Sequence, residues 1–405
     1  MAGVASIRVS KGAAVIMPLL LILVGFEIGV SVFGPLLPQV QREFQVSASS
    51  VAMALSVYHG IRLLVNVPMG RLVARSALPA MLATGGAILA AGGVAAALAP
   101  SFALVLVGRA IMGVGSALFF ITLQFWISKV AKPDDKAQLF SYHQIAALTG
   151  AALGPALGGA VAGWLSWRYS LVLAVAAGII ALGAGRRLVD PTANRPVAPV
   201  QTSSSEGTGL EIRSILGPGI IMMALFFFHG GVIATLIPLF SAREIHLGPA
   251  AIGAILMIGT LQRFGAALAS GRLAGLFGTR RVILTGLTAL GVSILSFLGV
   301  GSPLGMVLAV SLVSWANLGG SLVIALVTDV VPEKHWGVAL GINRTMADVG
   351  AMVAPLLMGF VIDQRGFGAA FVVAAAVLLA ATGLAAVLTT AHPVDATGTG
   401  GHNAP

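Results

Sequence analysis

GAALGPALGG, residues Gly150 to Gly159, reads as a helix with almost no side chains along one side. Gly150, Gly154 and Gly158 recur every fourth residue, so on a helix they form a stripe against which a second helix packs backbone to backbone. Pro155 sits inside the stripe and leaves the Ala151 carbonyl without its usual donor. A membrane tolerates such a carbonyl only where neighbouring groups re-satisfy it. The stretch therefore predicts a smooth, bendable transmembrane helix at an interface that opens and closes.

Composition agrees with a membrane setting. Of 405 residues 58% are hydrophobic and 9% charged, against about 25% charged in soluble domains. Fifty-two glycines are nearly twice the usual share of roughly 7%, as expected where helices approach closely in lipid. The chain has no cysteine, which excludes disulfides and thiolate metal sites. Seven histidines show no metal-binding spacing, GVGSAL at Gly113 lacks the lysine of a phosphate loop, and no nucleophile pairs with a base. An all-α integral membrane protein that is not an enzyme is expected, with no cofactor and no metal.

Working outward from the glycine stretch, apolar spans fall at about residues 13–40, 49–70, 78–99, 102–127, 138–164 and 167–184. The first is too long for a signal-peptide core and reads as a retained helix. Residues 186–214, with Pro191, Pro196, Pro199 and the run TSSSEGTG, read as a flexible linker. Six further spans lie at about 215–240, 250–271, 282–300, 304–328, 337–362 and 367–388. The expected domains are thus residues 1–185 and 215–390, each a six-helix bundle, with a disordered tail at 391–405.

Twelve spans place both termini on one side. With the termini and linker in the cytoplasm, that side receives fifteen Lys and Arg, the other only Arg42, Arg168, Arg243 and Arg365, and four more lie within helices, which accounts for all 23. This obeys the positive-inside rule. The net charge of +10 is then topological, and no compact basic domain points to nucleic acid. The halves also repeat: Gly70-Arg71-Leu72 recurs as Gly271-Arg272-Leu273, and Gly150-Ala151, Pro155 and Gly159 recur as Gly350-Ala351, Pro355 and Gly359. A near-constant offset of about 200 residues implies a duplicated unit, a layout that puts a binding site at the midplane between the halves.

These features together resemble the major facilitator superfamily along essentially the whole chain. GAALGPALGG fits the fifth-helix pattern GxxxGPxxGG of its twelve-helix drug:proton antiporter branch, GRAIMGVG at Gly108–Gly115 resembles that branch's fourth-helix motif, with Arg109 as its arginine, and WRYSLVL from Trp167 resembles the start of the sixth helix. The cytoplasmic loop pattern GxxxDRxGRR is only partly kept. Gly70 and Arg75 remain, with Arg71 at an unspecified position, Ala74 in place of the aspartate and Ala77 in place of glycine; the second copy keeps Gly271, Gly278, Arg280 and Arg281, with Arg272 after the first glycine and Gly275 at the acidic position. The family's acidic gate latch on that side is therefore missing. The resemblance implies alternating access and favours export in exchange for protons.

Two acids fall within spans. Glu27 sits in the first helix among Gly25, Phe26, Ile28 and Gly29, with no basic neighbour one turn away. A charge at the bilayer centre costs roughly 2.5–3.5 kcal/mol on insertion scales, so Glu27 is expected to exchange a proton, and H+ is the expected coupling ion. Asp348 has Arg344 four residues earlier and reads equally as a structural pair or a coupling site. Arg62, Arg109, Arg263 and Arg344 outnumber these acids and pull toward an anionic substrate. Snorkelling or a bond to a freed carbonyl competes most strongly at Arg109 and Arg263. The expected substrate cavity comprises Glu27, His59, Arg62, Arg109, Phe228, His229, Trp315, Asn317 and Arg344.

The expectation is a secondary transporter in a bacterial inner membrane, monomeric, exporting amphiphilic compounds against protons. The competing readings are a carrier of organic anions or metabolites, with Arg62 and Arg344 as ligands, and a non-transporting assembly factor or receptor on the same fold. Gly150, Gly154, Pro155, Gly158 and Gly159 are expected to form a gate seam between the halves, against Gly265 and Ala269 of the eighth helix. The eleventh-helix copy, with Ala354 and Met358 at the stripe positions, is less smooth.

Overall fold

The computed structural model describes residues 11–130, 133–188, 212–331 and 335–389. Most of the expected linker and the whole tail at 391–405 lie outside these residues. The described chain is helical, in spans α1 Met17–Phe44, α2 Ala48–Ala74, α3 Leu78–Ala97, α4 Phe102–Lys129, α5 Gln138–Trp164, α6 Trp167–Arg187, α7 Ile215–Arg243, α8 Pro249–Phe277 and α9 Thr279–Gly299. Span α10 is broken into Pro303–Ala316 and Val323–Val330. The final helix Trp336–Leu388 is two spans, α11 (residues 336–365) and α12 (367–388), divided at Gly366, whose φ of 80° only glycine adopts without strain.

Local chemistry sets these boundaries. Ser47, Ser166 and Ser302 accept bonds from the backbone of Ser50, Arg168 and Gly305 and so start α2, α6 and α10. Gly278, at φ 85°, turns α8 into α9. Two spans are irregular where no lipid-facing helix is required to be. In α7, Phe228–Leu236 is a π-helical segment whose Thr235 hydroxyl donates to the Gly230 carbonyl at 2.7 Å. In α10 the break at Asn317 lets Gly319 come against the backbone of Ile283 in α9.

Large apolar side chains such as Trp164, Leu268, Leu304, Leu308 and Val387 are exposed, as they must be on a surface facing hydrocarbon. The first half has its own core, with Phe26 stacked on Phe119 at 3.8 Å beside Trp126 and Ile127. A larger core is shared by both halves. Its first-half members, including Phe33, Leu36, Val40, Val51 and Trp167, all lie toward the face that carries the α1–α2 and α5–α6 loops. That face, here the distal face, is where the halves close on each other; the opposite, terminal face is where α6 ends and α7 begins.

Candidate functional site

The glycine stripe does not face the second half. A Cβ at Gly150 would meet Val24 and Glu27, one at Gly154 would meet Ser31 and Ile28, and one at Gly158 would meet Val32, all in α1. The stripe is an α1–α5 seam inside the first half. The seam to α8 is made by the other side of α5: Gly159 abuts Pro249, Pro155 abuts Gly253, and Gly163 abuts Ala250. A Cβ at Gly265 would instead lie 3.0 Å from the Trp315 ring, so the space beside Gly265 is filled from α10 and it is no partner for α5. The expected site of the seam was therefore displaced by about four turns, because glycine spacing names a face and not the helix opposite it.

The repeat extends to these contacts. Gly350 meets Met223 and Phe227 of α7 as Gly150 meets Val24 and Ile28 of α1, and Gly359 meets Ala48 and Ser49 of α2 as Gly159 meets Pro249 of α8. The α2–α11 seam carries one addition. Asp363 accepts hydrogen bonds from the amides of Ala48 at 2.9 Å and Ser49 at 2.8 Å, capping the α2 N-terminus from the other half. Nothing in the sequence pattern flagged Asp363, since it sits just beyond the expected end of the eleventh span.

Further along the same seam, ionisable side chains meet in mid-span. Asp348, 1% exposed, accepts from Asn66 Nδ2 at 2.8 Å and lies 3.9 Å from Arg62 and 3.8 Å from Arg344. Asn66 and Arg62 come from α2, so this cluster ties the halves together. Asn66 is a ligand that charge-based reading overlooked; a mid-span amide was its only signal. Arg62 also lies over Tyr58 and Phe120, at 5.7 and 5.4 Å from the ring centroids, and Tyr58 shares a 2.5 Å bond with Ser116.

Arg344 is different. Its side chain is 47% exposed, rests over Phe226 at 6.0 Å, and its only ionic partner among the described residues is the already engaged Asp348. Glu27 lies across from it, within electrostatic reach of Arg62 and Arg344, and its carboxylate has no hydrogen bond or ion pair among the described residues. His59 lies within electrostatic reach of Arg62, Arg109, Arg344 and His229. On the second half's wall Arg263 bonds His229 Nδ1 at 2.9 Å and Thr260 at 2.6 Å. Glu27, His59, Arg62, Arg344 and His229 thus converge, and Arg263 joins them although it was not expected at the cavity.

Four expected cavity residues are elsewhere. Arg109 is 1% exposed; its Nε donates to the Ala54 carbonyl at 3.1 Å and its guanidinium lies between Phe33 and Tyr58, 4.5 and 4.6 Å from their centroids. It is a core strut, bound to a carbonyl as the competing reading held. Phe228 is fully buried, because the π-helical segment that begins there turns it into the shared core. Asn317 takes the C-cap position at the α10 break, away from the charged cluster, and Trp315 packs on Gly265. In the loop motif after α2 and its second copy after α8, Gly70 and Gly271 have open space around them, Arg75 ends α2, and Arg280 donates to Thr389 at 3.0 Å and the Ala386 carbonyl at 2.7 Å, joining α9 to α12 within one half.

Two repeated six-span units that meet around a mid-span charged cluster, with seams α2–α11 and α5–α8, match a known family. The profile of the Major Facilitator Superfamily matches residues 19–261 and 219–404. The chain belongs to the Major Facilitator Superfamily. It is therefore a multi-pass membrane transporter and not an enzyme. Among characterised superfamily members it is similar to the hexuronate transporter of Bacillus subtilis (strain 168), 25% identical over 301 residues covering 69% of this chain and 71% of that protein. It is also similar to the multidrug efflux pump LfrA of Mycolicibacterium smegmatis, 24% identical over 379 residues covering 80% and 75%. In three dimensions this superfamily chain resembles the peptide transporter POT in complex with sulfate, with a TM-score of 0.71 at 16% identity, covering 91% of this chain and 93% of that one. A bacterial homologue of the lysosomal transporter Spinster, inward-facing and occupied, gives 0.70 at 14% identity, covering 93% and 95%.

Proposed function

We propose that this transporter carries a small organic anion by alternating access, with Arg344 as the principal anion ligand and Glu27 as the proton carrier. The observation that carries the reading is the half-exposed Arg344, held loosely by an aspartate whose charge is already shared with Arg62 and Asn66. Three arginines, at positions 62, 263 and 344, face two carboxylates there, and a mid-span excess of positive charge is relieved by a bound anion. Asp348, clamped between two arginines, is suited to hold the halves in register. Glu27, with no partner of its own, is suited to exchange a proton when the substrate leaves.

In this reading the terminal face is cytoplasmic, as the distribution of basic residues favours, and the cavity is reached from that side while the distal seams are closed. The two six-helix units at residues 1–185 and 215–390 rock about the charged cluster. Uptake into proteoliposomes under an imposed proton gradient, with a panel of anionic and cationic solutes, tests it. Arg344→Ala should abolish anion movement, and Glu27→Gln should abolish its dependence on the proton gradient. Gradient-driven anion transport surviving both changes would remove the proposal.

A second reading is proton-coupled efflux of amphiphilic compounds. GAALGPALGG and the similarity to LfrA favour it. Cation efflux that persists in Arg344→Ala while Glu27→Gln stops it would select this reading over the first.

A further inference from the structure

The second-half wall of the cavity contains a histidine whose hydrogen-bond role is fixed by its neighbours. Arginine nitrogens only donate, so His229 Nδ1, 2.9 Å from Arg263 Nη1, must accept. The ring proton then sits on Nε2. Thr260 closes the same logic: its hydroxyl donates to the Leu256 carbonyl at 2.9 Å and therefore accepts from Arg263 Nη2 at 2.6 Å. Arg263 is thus anchored twice and cannot turn away without leaving both acceptors unmatched.

The opposite edge of the ring has no hydrogen-bond partner among the described residues. His229 is exposed although it lies in mid-span, and it is close enough to His59 of the other half to act on it electrostatically. We propose that His229 Nε2–H is a fixed donor that binds an oxygen acceptor on the substrate, at the end remote from the acidic group held by Arg344, with Arg263 as the positioning residue. This subsite rests on the anion-carrier reading and narrows it. The substrate is an anion that also bears a hydroxyl, carbonyl or second carboxylate oxygen several bonds from the first, and a purely hydrocarbon acid is discriminated against because it leaves the donor unmatched.

Two measurements test this. Histidine-selective 15N NMR in nanodiscs reads the tautomer: one Nε2–H signal should vanish in His229→Gln and redistribute in Arg263→Met. An Nδ1–H or doubly protonated ring at neutral pH, or a signal indifferent to Arg263→Met, overturns the proposal. Thermal-shift titration then compares galacturonate with cyclohexanecarboxylate. The wild type should bind galacturonate about tenfold more tightly, the scale of one well-made hydrogen bond. The difference should disappear in His229→Leu and return in His229→Gln, whose amide supplies a donor. Equal affinities in the wild type overturn the subsite while leaving the carrier reading intact. Binding of neither probe overturns the carrier reading and the ligand assignment together, and the NMR result still reports whether the ring is held as described.

Discussion

Asp363 Oδ1 and the amide nitrogen of Ala48 lie 2.9 Å apart across the seam between the two halves of the transporter. The second carboxylate oxygen takes the Ser49 amide, so one side chain from α11 satisfies two of the orphan donors at the start of α2. These bonds exist only while the distal ends of α2 and α11 are together. Helix capping by a carboxylate is worth about 1 kcal/mol, so Asp363→Ala should shift the balance roughly fivefold toward the distal-open form. Spin labels on cysteines introduced at Ser101 and Ser302, both exposed on distal loops of a chain with no cysteine of its own, would report it. An unchanged distance distribution would show that the cap does not hold the seam.

The two glycine seams should fail differently. At Gly154 even a methyl group would press on Ser31 and Ile28, so Gly154→Leu should lower the yield of folded protein by separating α1 from α5. At Gly159 the neighbours are Pro249 and Gly253 of the other half, so Gly159→Leu should leave yield near normal and hold the distal face open. Size-exclusion yield and the same label pair distinguish the two; similar behaviour of both variants would contradict the assignment of the seams.

Arg109 should matter for stability and not for substrate affinity. Arg109→Met removes the bond to the Ala54 carbonyl and the stacking between Phe33 and Tyr58 in the first-half interior, a loss of about 2 kcal/mol. The expected result is a lower melting temperature with an unchanged KM in proteoliposomes. A large rise in KM would return Arg109 to the cavity.

The Asp348 cluster should show strong coupling between mutations. Asp348→Leu alone leaves Arg62 buried without its ion-pair partner and should destabilise by about 3 kcal/mol. Adding Arg62→Met should recover most of that loss, which an additive pair of melting shifts would refute.

Much of this arrangement was legible before the structure. Glycine content, spans and the 200-residue repeat gave the twelve helices, because hydrocarbon imposes composition on every helix that crosses it. Glu27, Arg62, Arg344 and Asp348 were legible as mid-span charges. What stayed hidden was which helix stands opposite a given face. The glycine stripe was assigned to the wrong partner, and Arg109 and Phe228 to the wrong side, since burial inside one half and exposure between halves look alike in an apolar sequence. Asn66, Arg263 and Asp363 acquired their places only through neighbours about 280, 34 and 315 residues away.

The duplicated contacts have one difference with a physical consequence. Where α11 presents Asp363 to the start of α2, the equivalent position in α5 is Gly163, which meets Ala250 at the start of α8 by close approach alone. One lip of the distal face is thus held by charge at an exposed site, and the other by contact between small residues. Added salt weakens the first and leaves the second nearly untouched. Ionic strength is therefore expected to act on this protein as a one-sided lever, so that the distal face should part as a wedge, along α2 and α11 first, with α5 and α8 as its hinge.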